Sequence, residues 1–197
     1  MKINDFHILD IGTGSGEIGS FFADNNNVVG ADVDYALSDK SIEMGLKFAK
    51  MDGYAVPHKE ESFDIVISNY VIEHLEDAEA HLCEIYRLLK IGGICYLAGP
   101  NRLWPKEPHT KTWLLHYLPP PIFFKLLKLL GKQEGQIYLP NYWTYKRLFK
   151  VSCYEYKEYT QEVINNPDKY NSDERVPFRI PKWAQFLSKS NIFILKK

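Results

Sequence analysis

An excess of either charge is missing from this sequence. Its 24 Lys and Arg residues face 25 Asp and Glu, a formal net charge of -1. No global field therefore draws the chain to nucleic acid or to an anionic membrane, and any such partner would need a local patch. Long apolar runs are missing too: nowhere do about 18 apolar residues stand uninterrupted, the length a membrane-spanning helix requires. Met1-Lys2-Ile3-Asn4-Asp5 carries one basic residue and leads straight into an apolar segment containing Asp10, unlike a signal peptide. The expectation is a soluble, cytoplasmic chain, at most peripheral to the inner face of a membrane. Cysteine is scarce. Cys83, Cys95 and Cys153 are odd in number, show no Cys-x-x-Cys spacing and each lie in an apolar stretch, so they read as buried free thiols in a reducing compartment. There is no internal repeat or low-complexity tract, and 197 residues suffice for one sizeable core, so one domain is expected.

What is present is an alternation of short β-type runs with helical ones. Phe6 to Ile11 reads as a buried strand, and Gly12 to Gly16 as a turn into a helix reaching about Asp24. Val28 to Ala31 is a second strand. Ser38 caps a helix over Ile42 and Leu46, Lys47 to Met51 is a weaker third strand, and Phe63 to Ser68 a fourth. Asp77 caps an amphipathic helix with Ala78, Leu82, Ile85, Leu88 and Leu89 on one face, which Gly92-Gly93 is expected to stop before a fifth strand, Ile94 to Ala98. Strands apolar on both faces that alternate with helices indicate an α/β fold, a doubly wound and mainly parallel sheet. The rhythm breaks after Gly99: seven of the eleven prolines fall between Pro100 and Pro140, among Trp104, Trp113, Tyr117, Phe123 and Phe124. That stretch reads as an inserted Pro- and aromatic-rich lid. A helix from about Thr144, a strand from Val151 to Tyr159, a linker helix and a closing antiparallel strand, Asn191 to Leu195, complete the chain. The expected organisation is one domain over 1–197, with a cofactor-binding half at 1–99, an acceptor-side insertion at 100–141 and a C-terminal helix and strand pair at 142–197.

In an open parallel sheet, ligands bind beyond the carboxyl ends of the strands. Ile8-Leu9-Asp10-Ile11-Gly12-Thr13-Gly14-Ser15-Gly16 is a strand, a glycine-rich turn and a helix start, where backbone N–H groups can meet an anion such as a carboxylate. Asp32 ends the second strand twenty residues beyond Gly12, where a carboxylate can accept from both hydroxyls of a ribose. Nicotinamide enzymes share that spacing, and Gly14-x-Gly16-x-x-Gly19 matches their fingerprint as a string. The register argues against them, because counting from Gly12 puts Glu17 at the third position, where it would crowd and repel a pyrophosphate.

Leu9-Asp10-Ile11-Gly12-Thr13-Gly14-Ser15-Gly16 resembles the first motif of the class I S-adenosylmethionine-dependent methyltransferases, which are Rossmann-like. Later segments agree in order. Val29-Gly30-Ala31-Asp32 resembles the second-strand motif, Met51-Asp52-Gly53 through Pro57 the adenine-binding segment, Phe63 through Asn69 with Glu73-His74 the fourth-strand motif, and Leu88 through Gly93 the turn into strand five. Ile91 stands where the family usually has proline, which affects turn rigidity rather than chemistry. The resemblance implies S-adenosylmethionine as cofactor, with S-adenosylhomocysteine as product. Asp10 and the turn Gly12, Thr13, Gly14 and Gly16 would hold the methionine portion, directly or through water. Asp32 with Val33 would bind the ribose, Asp52 with Gly53 the adenine, and the Asn69 backbone the ammonium. Asp10 and Asp52 have the alternative of capping turns. Tyr70 and Ile72 read as packing residues, and Asp34 and Asp64 as turn or strand-edge groups.

Methyl transfer is an in-line displacement in which positioning carries much of the catalysis. A hydroxyl acceptor would also want a base of near-neutral pKa, for which His74 and His109 are the candidates. His74 could instead bond backbone at a helix start, and His109 could be a surface loop histidine. No residues are assigned to a metal. The segments Pro100-Asn101-Arg102, Glu107-Pro108-His109 and His116 through Pro119 resemble a bacterial subgroup associated with polysaccharide and glycolipid assembly, which implies O-methylation of a small, sugar or lipid-linked acceptor. Only five residues precede Phe6, whereas the family generally carries a helical segment there that closes the cofactor site. Either the chain is truncated, or the insertion and a partner subunit cover the pocket. Pro121 to Lys132 reads as a proline-started helix with Lys125, Lys128 and Lys132 on one face. It is a lid, or a lid that also rests on a membrane with Phe123 and Phe124 beneath. The competing functions are a cofactor-binding subunit without its own catalysis and, third, an NAD-dependent oxidoreductase.

Overall fold

The structure, a computed structural model, describes residues 3–34, 36–132, 137–170 and 181–197, the side chains of Lys182 and Trp183 excepted. Met1 and Lys2 of the N-terminal reading, and part of the insertion, lie outside these residues.

Alternation of side chains drives the first half. In β1 (His7–Ile11), Ile8 packs in one apolar cluster while Leu9 and Ile11 pack in another. A strand buried at consecutive positions needs cover on both faces, and helices on both sides of a parallel sheet provide it. The other strands are β2 (Asn27–Asp32), β3 (Lys47–Lys50), β4 (Phe63–Asn69), β5 (Leu89–Pro100), β6 (Glu155–Glu158) and β7 (Ser190–Lys196). They form one sheet in the order β3-β2-β1-β4-β5-β7-β6, parallel from β3 to β5 and antiparallel at β7 and β6. This is the expected α/β, Rossmann-like, doubly wound arrangement. Its order reverses between β1 and β4, so the carboxyl ends of β1, β2 and β4 open a crevice.

The helices are α1 (Glu17–Phe21), α2 (Asp39–Glu43), α3 (Ala78–Leu88), α4 (Pro120–Leu129), α5 (Tyr142–Val151) and α6 (Thr160–Asn165). Ser38 and Asp77 cap as expected, accepting from the amides of Ser41 and Ala80. Several boundaries differ from the sequence reading. α1 ends at Phe21, and a 3-10 turn, Ala23–Asn25, replaces its last turn. Gly92-Gly93 does not stop α3, which ends at Leu88; the pair lies inside β5, where the register with β4 shifts. A Cβ on Gly93 would meet the carbonyls of Lys90 and Asp64 at 2.9 and 3.1 Å, so the glycine serves a bulge. Asn141 caps α5, which runs on to Val151 and leaves only Glu155–Glu158 as strand. Of the cysteines only Cys95 is buried: Cys83 is on the outer face of α3, and Cys153 is in a positive-φ turn after α5.

The insertion after β5 forms no further βα unit among its described residues. It contains a single bridge between Lys106 and Trp113, a 3-10 turn at Leu115–Tyr117, and α4. Phe123 and Leu127 of α4 are buried, while Ile122, Leu129 and Leu130 are exposed beside Lys125 and Lys128. Phe123 is therefore in the protein and unavailable to a lipid surface. Lys132 is tied down, donating to the Thr110 carbonyl at 2.9 Å.

Candidate active site

The glycine turn after β1 is built around a buried carboxylate. Asp10 is 2% exposed, and its Oδ2 accepts from the Thr13 hydroxyl at 2.8 Å and the Gly19 amide at 3.0 Å. Burial pushes its pKa up to about 6 against the pull of those two bonds. Asp10 thus staples the turn to α1 from behind. Gly12 has φ +67, and a Cβ there would fall 2.4 Å from Val71 Cγ2, so only glycine lets the turn pass beneath the loop after β4. α1 has five residues and no side-chain cap, with Glu17 in its first turn. A helix this short adds little dipole, and an acid at its start does not suit a phosphate.

At the end of β2, Asp32 is half-buried and accepts from the Gly14 amide at 2.9 Å through Oδ2 and from the Val33 amide at 2.7 Å through Oδ1. Each oxygen keeps acceptor capacity for a ligand hydroxyl. Beyond β3, Asp52 Oδ1 accepts from the amides of Tyr54 and Ala55. Those bonds, Tyr54 first, hold its pKa below the usual carboxylate range. Asp52 does cap a turn, and Oδ2 is left for a ligand.

The next residue, Gly53, is positioned by a histidine that sequence reasoning passed over. His81 is fully buried in α3; its Nδ1 is 2.7 Å from the Gly53 carbonyl and its Nε2 is 3.1 Å from Ser68 Oγ. A carbonyl only accepts, so Nδ1 carries the proton and Nε2 accepts from the serine. Burial lowers the His81 pKa and keeps the ring neutral. The signal was there: residues 81, 82, 85 and 88 share the inward face of α3, which put a polar ring in the core.

These elements enclose a cavity of about 450 Å³. Of the sequence-predicted residues, Gly12, Asp32, Val33, Asp52, Gly53 and His74 line it, together with Ile11, Ala31, Met51, Tyr54, Tyr70, Val71 and Leu75. Asp10, Thr13, Gly14 and Gly16 shape the turn without lining the cavity, and neither Asn69, half-buried at the end of β4, nor His109 lines it. Tyr70, read from sequence as packing, is part of the wall.

Residues 9–97 match the family described as a methyltransferase domain. Over that segment, rather less than half of the chain, the sequence is similar to the class I S-adenosylmethionine-dependent methyltransferases. It is 27% identical over 141 residues to the ubiquinone/menaquinone biosynthesis C-methyltransferase of Stenotrophomonas maltophilia, covering 64% of this chain and 51% of that one. To the ubiquinone biosynthesis O-methyltransferase of Rhizobium rhizogenes it is 32% identical over 111 residues, 51% of this chain and 43% of that one. The chain thus spans about half the length of these curated relatives. In fold it is like the crystal structure of an S-adenosylmethionine-dependent methyltransferase from Mesorhizobium loti, with a TM-score of 0.65 at 13% identity, over 100% of this chain and 93% of that one.

In this chain the two candidate catalytic histidines come together. The rings of His74 and His109 meet edge to face with centroids 5.1 Å apart, and His109 Nε2 lies 3.5 Å from Glu73 Oε1. His109 owes its place to Glu107, 1% exposed, whose carboxylate accepts from the amides of His109 and Thr110 and from the Thr110 hydroxyl. The Glu107 amide in turn donates to the Thr112 carbonyl at 2.9 Å. The loop is preorganised by its own acid. A second cavity, of about 850 Å³, shares Leu75 with the first and opens between α3, α4 and α5. Pro120, Pro121, Phe124, Ile137 and Leu139 give it an apolar wall, interrupted by Arg102 and Arg147.

Proposed function

We propose that the chain binds S-adenosylmethionine in the 450 Å³ cavity and transfers its methyl group to a small acceptor held from the insertion side. One observation carries the reading: two carboxylates, Asp32 and Asp52, face a cavity lined, among the described residues, by no Lys or Arg. A cationic sulfonium nucleoside without phosphates fits that donor set, whereas a dinucleotide pyrophosphate would meet acids only. Asp32 would take the ribose hydroxyls, Asp52 the adenine amino group, and the turn beside Gly12, with the Asn69 backbone, the methionine end.

The bound cofactor supplies an electrophilic methyl carbon and a neutral thioether leaving group. The chain's own part is to orient the acceptor in line with that carbon, to exclude water, and to handle the proton lost by the acceptor, the work assigned to His109 and His74. The 850 Å³ cavity has an apolar wall with Arg102 and Arg147 but also Glu76, Asp77 and Glu79 in its lining, and suits an acceptor with a hydrophobic body and a polar end. A lipid-linked or other amphipathic O-acceptor meets that description better than a bare sugar. In this division residues 1–99 hold the cofactor, 100–141 the acceptor, and 142–197 close the sheet. Thermal unfolding with S-adenosylhomocysteine and with NAD is the direct test, since a ligand of the native state raises the melting temperature by mass action. Stabilisation by S-adenosylhomocysteine alone supports the reading; stabilisation by NAD alone refutes it.

A further inference from the structure

Glu73 is the anomaly of the acceptor side. It is fully buried, and neither carboxylate oxygen has a hydrogen-bond partner among the described residues. Its backbone is fixed, because the Glu73 carbonyl accepts from the Tyr138 amide at 2.7 Å. The Tyr145 hydroxyl is spent elsewhere, donating to the Pro100 carbonyl at 3.1 Å. A carboxylate stripped of water without hydrogen bonds costs several kcal/mol unless a cation compensates it. His109 Nε2 at 3.5 Å is one neighbour, and the exposed, rotatable His74 is the other.

One ligand atom from each of Glu73, His74 and His109 falls within 4.8 Å of the other two. Two imidazoles and a carboxylate are the donor set of open divalent-metal sites, in which ligand atoms about 2.0–2.2 Å from the ion leave a position for substrate. The 3.5 Å between His109 and Glu73 is close to the ligand-to-ligand spacing of about 3.4 Å that a tetrahedral ion imposes. The wider separations, within 4.8 Å, would have to close on an ion.

We propose that Glu73, His74 and His109 bind a divalent transition-metal ion, of the Zn²⁺ or Co²⁺ class, beside the 450 Å³ cavity that His74 lines. Its open position would face the acceptor; resting on the methyl-transfer reading, its role, in place of general-base work by His74 and His109, is to hold the acceptor oxygen and favour loss of that oxygen's proton to solvent before the oxygen attacks the methyl carbon and the carbon–sulfur pair leaves with sulfur. Glu107 is then the residue that presents His109 to the ion, through the loop and not by contact.

The test is metal binding by the whole chain without cofactor. Chelator-treated protein is titrated with Co²⁺, read by visible absorption, and then with Zn²⁺ in competition. One equivalent of Co²⁺ displaced by one of Zn²⁺ is expected. Glu73→Gln, which keeps the shape, and His109→Ala should each weaken binding by at least about 10-fold, the loss that even outer partners of metal ligands cause. His7→Ala, on the exposed start of β1, should change nothing. Absence of binding, or binding that Glu73→Gln and His109→Ala leave intact, overturns the site. S-adenosylhomocysteine binding by the same chelated protein is scored separately, so failure of the metal site and failure of the methyltransferase reading are told apart.

Discussion

Asp10 and Glu73 are both buried acids, one beneath the glycine turn and the other beside the acceptor-side histidines, and they differ in what surrounds them. Asp10 has a hydroxyl and an amide on one oxygen, both from residues within nine positions of it in the chain. The Glu73 carboxylate has no hydrogen bond among the described residues. A buried acid with local partners is part of the framework, while one without partners has been left for a ligand. The largest expected difference follows. Asp10→Ala strands the Thr13 hydroxyl and the Gly19 amide and should lower stability by about 2–4 kcal/mol in urea unfolding. Glu73→Gln, in chelated protein, loses no side-chain hydrogen bond, so it should stay within about 1 kcal/mol of the parent. Equal losses would erase the distinction.

Activity sharpens the same contrast from the other side. Once an acceptor is identified, His109→Ala should lower turnover about 100-fold or more with cofactor affinity intact, because His109, as base or as metal ligand, is proposed to act on the acceptor and does not line the 450 Å³ cavity. Unchanged turnover would make His109 a loop residue.

Asp10 also predicts a pH dependence of smaller size. Its folded pKa lies above its unfolded value, at about 6 against 3.8, so the native state binds more protons in that window and stability is lost as pH rises through the folded pKa. Between pH 5 and 7.5 this amounts to about 1.4 kcal/mol. Asp10→Asn should remove that slope while keeping both acceptor contacts. A parent slope unchanged in the variant would mean that Asp10 is not the titrating group.

The smallest effect concerns α4. Ile122, Leu129, Lys125 and Lys128 remain on its exposed face for a membrane, with Phe123 withdrawn. Flotation with anionic vesicles at low salt should show weak binding that Lys125→Glu with Lys128→Glu abolishes; no flotation, or flotation unchanged in the double variant, leaves α4 a lid.

The cofactor half was legible because its signals are local. Strand periodicity, the glycine turn and the twenty-residue step to Asp32 each depend on neighbours in sequence, and β1 to β5 fell where they indicated. Boundaries failed where tertiary pairing overrode local preference, as at Gly92-Gly93, where β5 begins pairing with β4 before the glycines and bulges through them. The acceptor side was less legible, because its geometry joins residues distant in sequence. His74 and His109 were each visible as candidates, but nothing in the sequence put Glu73 between them, or Glu107 under the loop. His81 was missed for a different reason: a histidine among apolar residues at helical spacing reads as packing until its two partners, Gly53 and Ser68, are placed.

If Asp32 receives the ribose of a phosphate-free nucleoside, calorimetry of S-adenosylhomocysteine with the parent and with Asp32→Ala will register it. Loss of charge-assisted hydrogen bonds worth roughly 1.5–3 kcal/mol should weaken binding by about 10- to 150-fold. Unchanged affinity in the variant, or tight NAD binding by the parent, would contradict it.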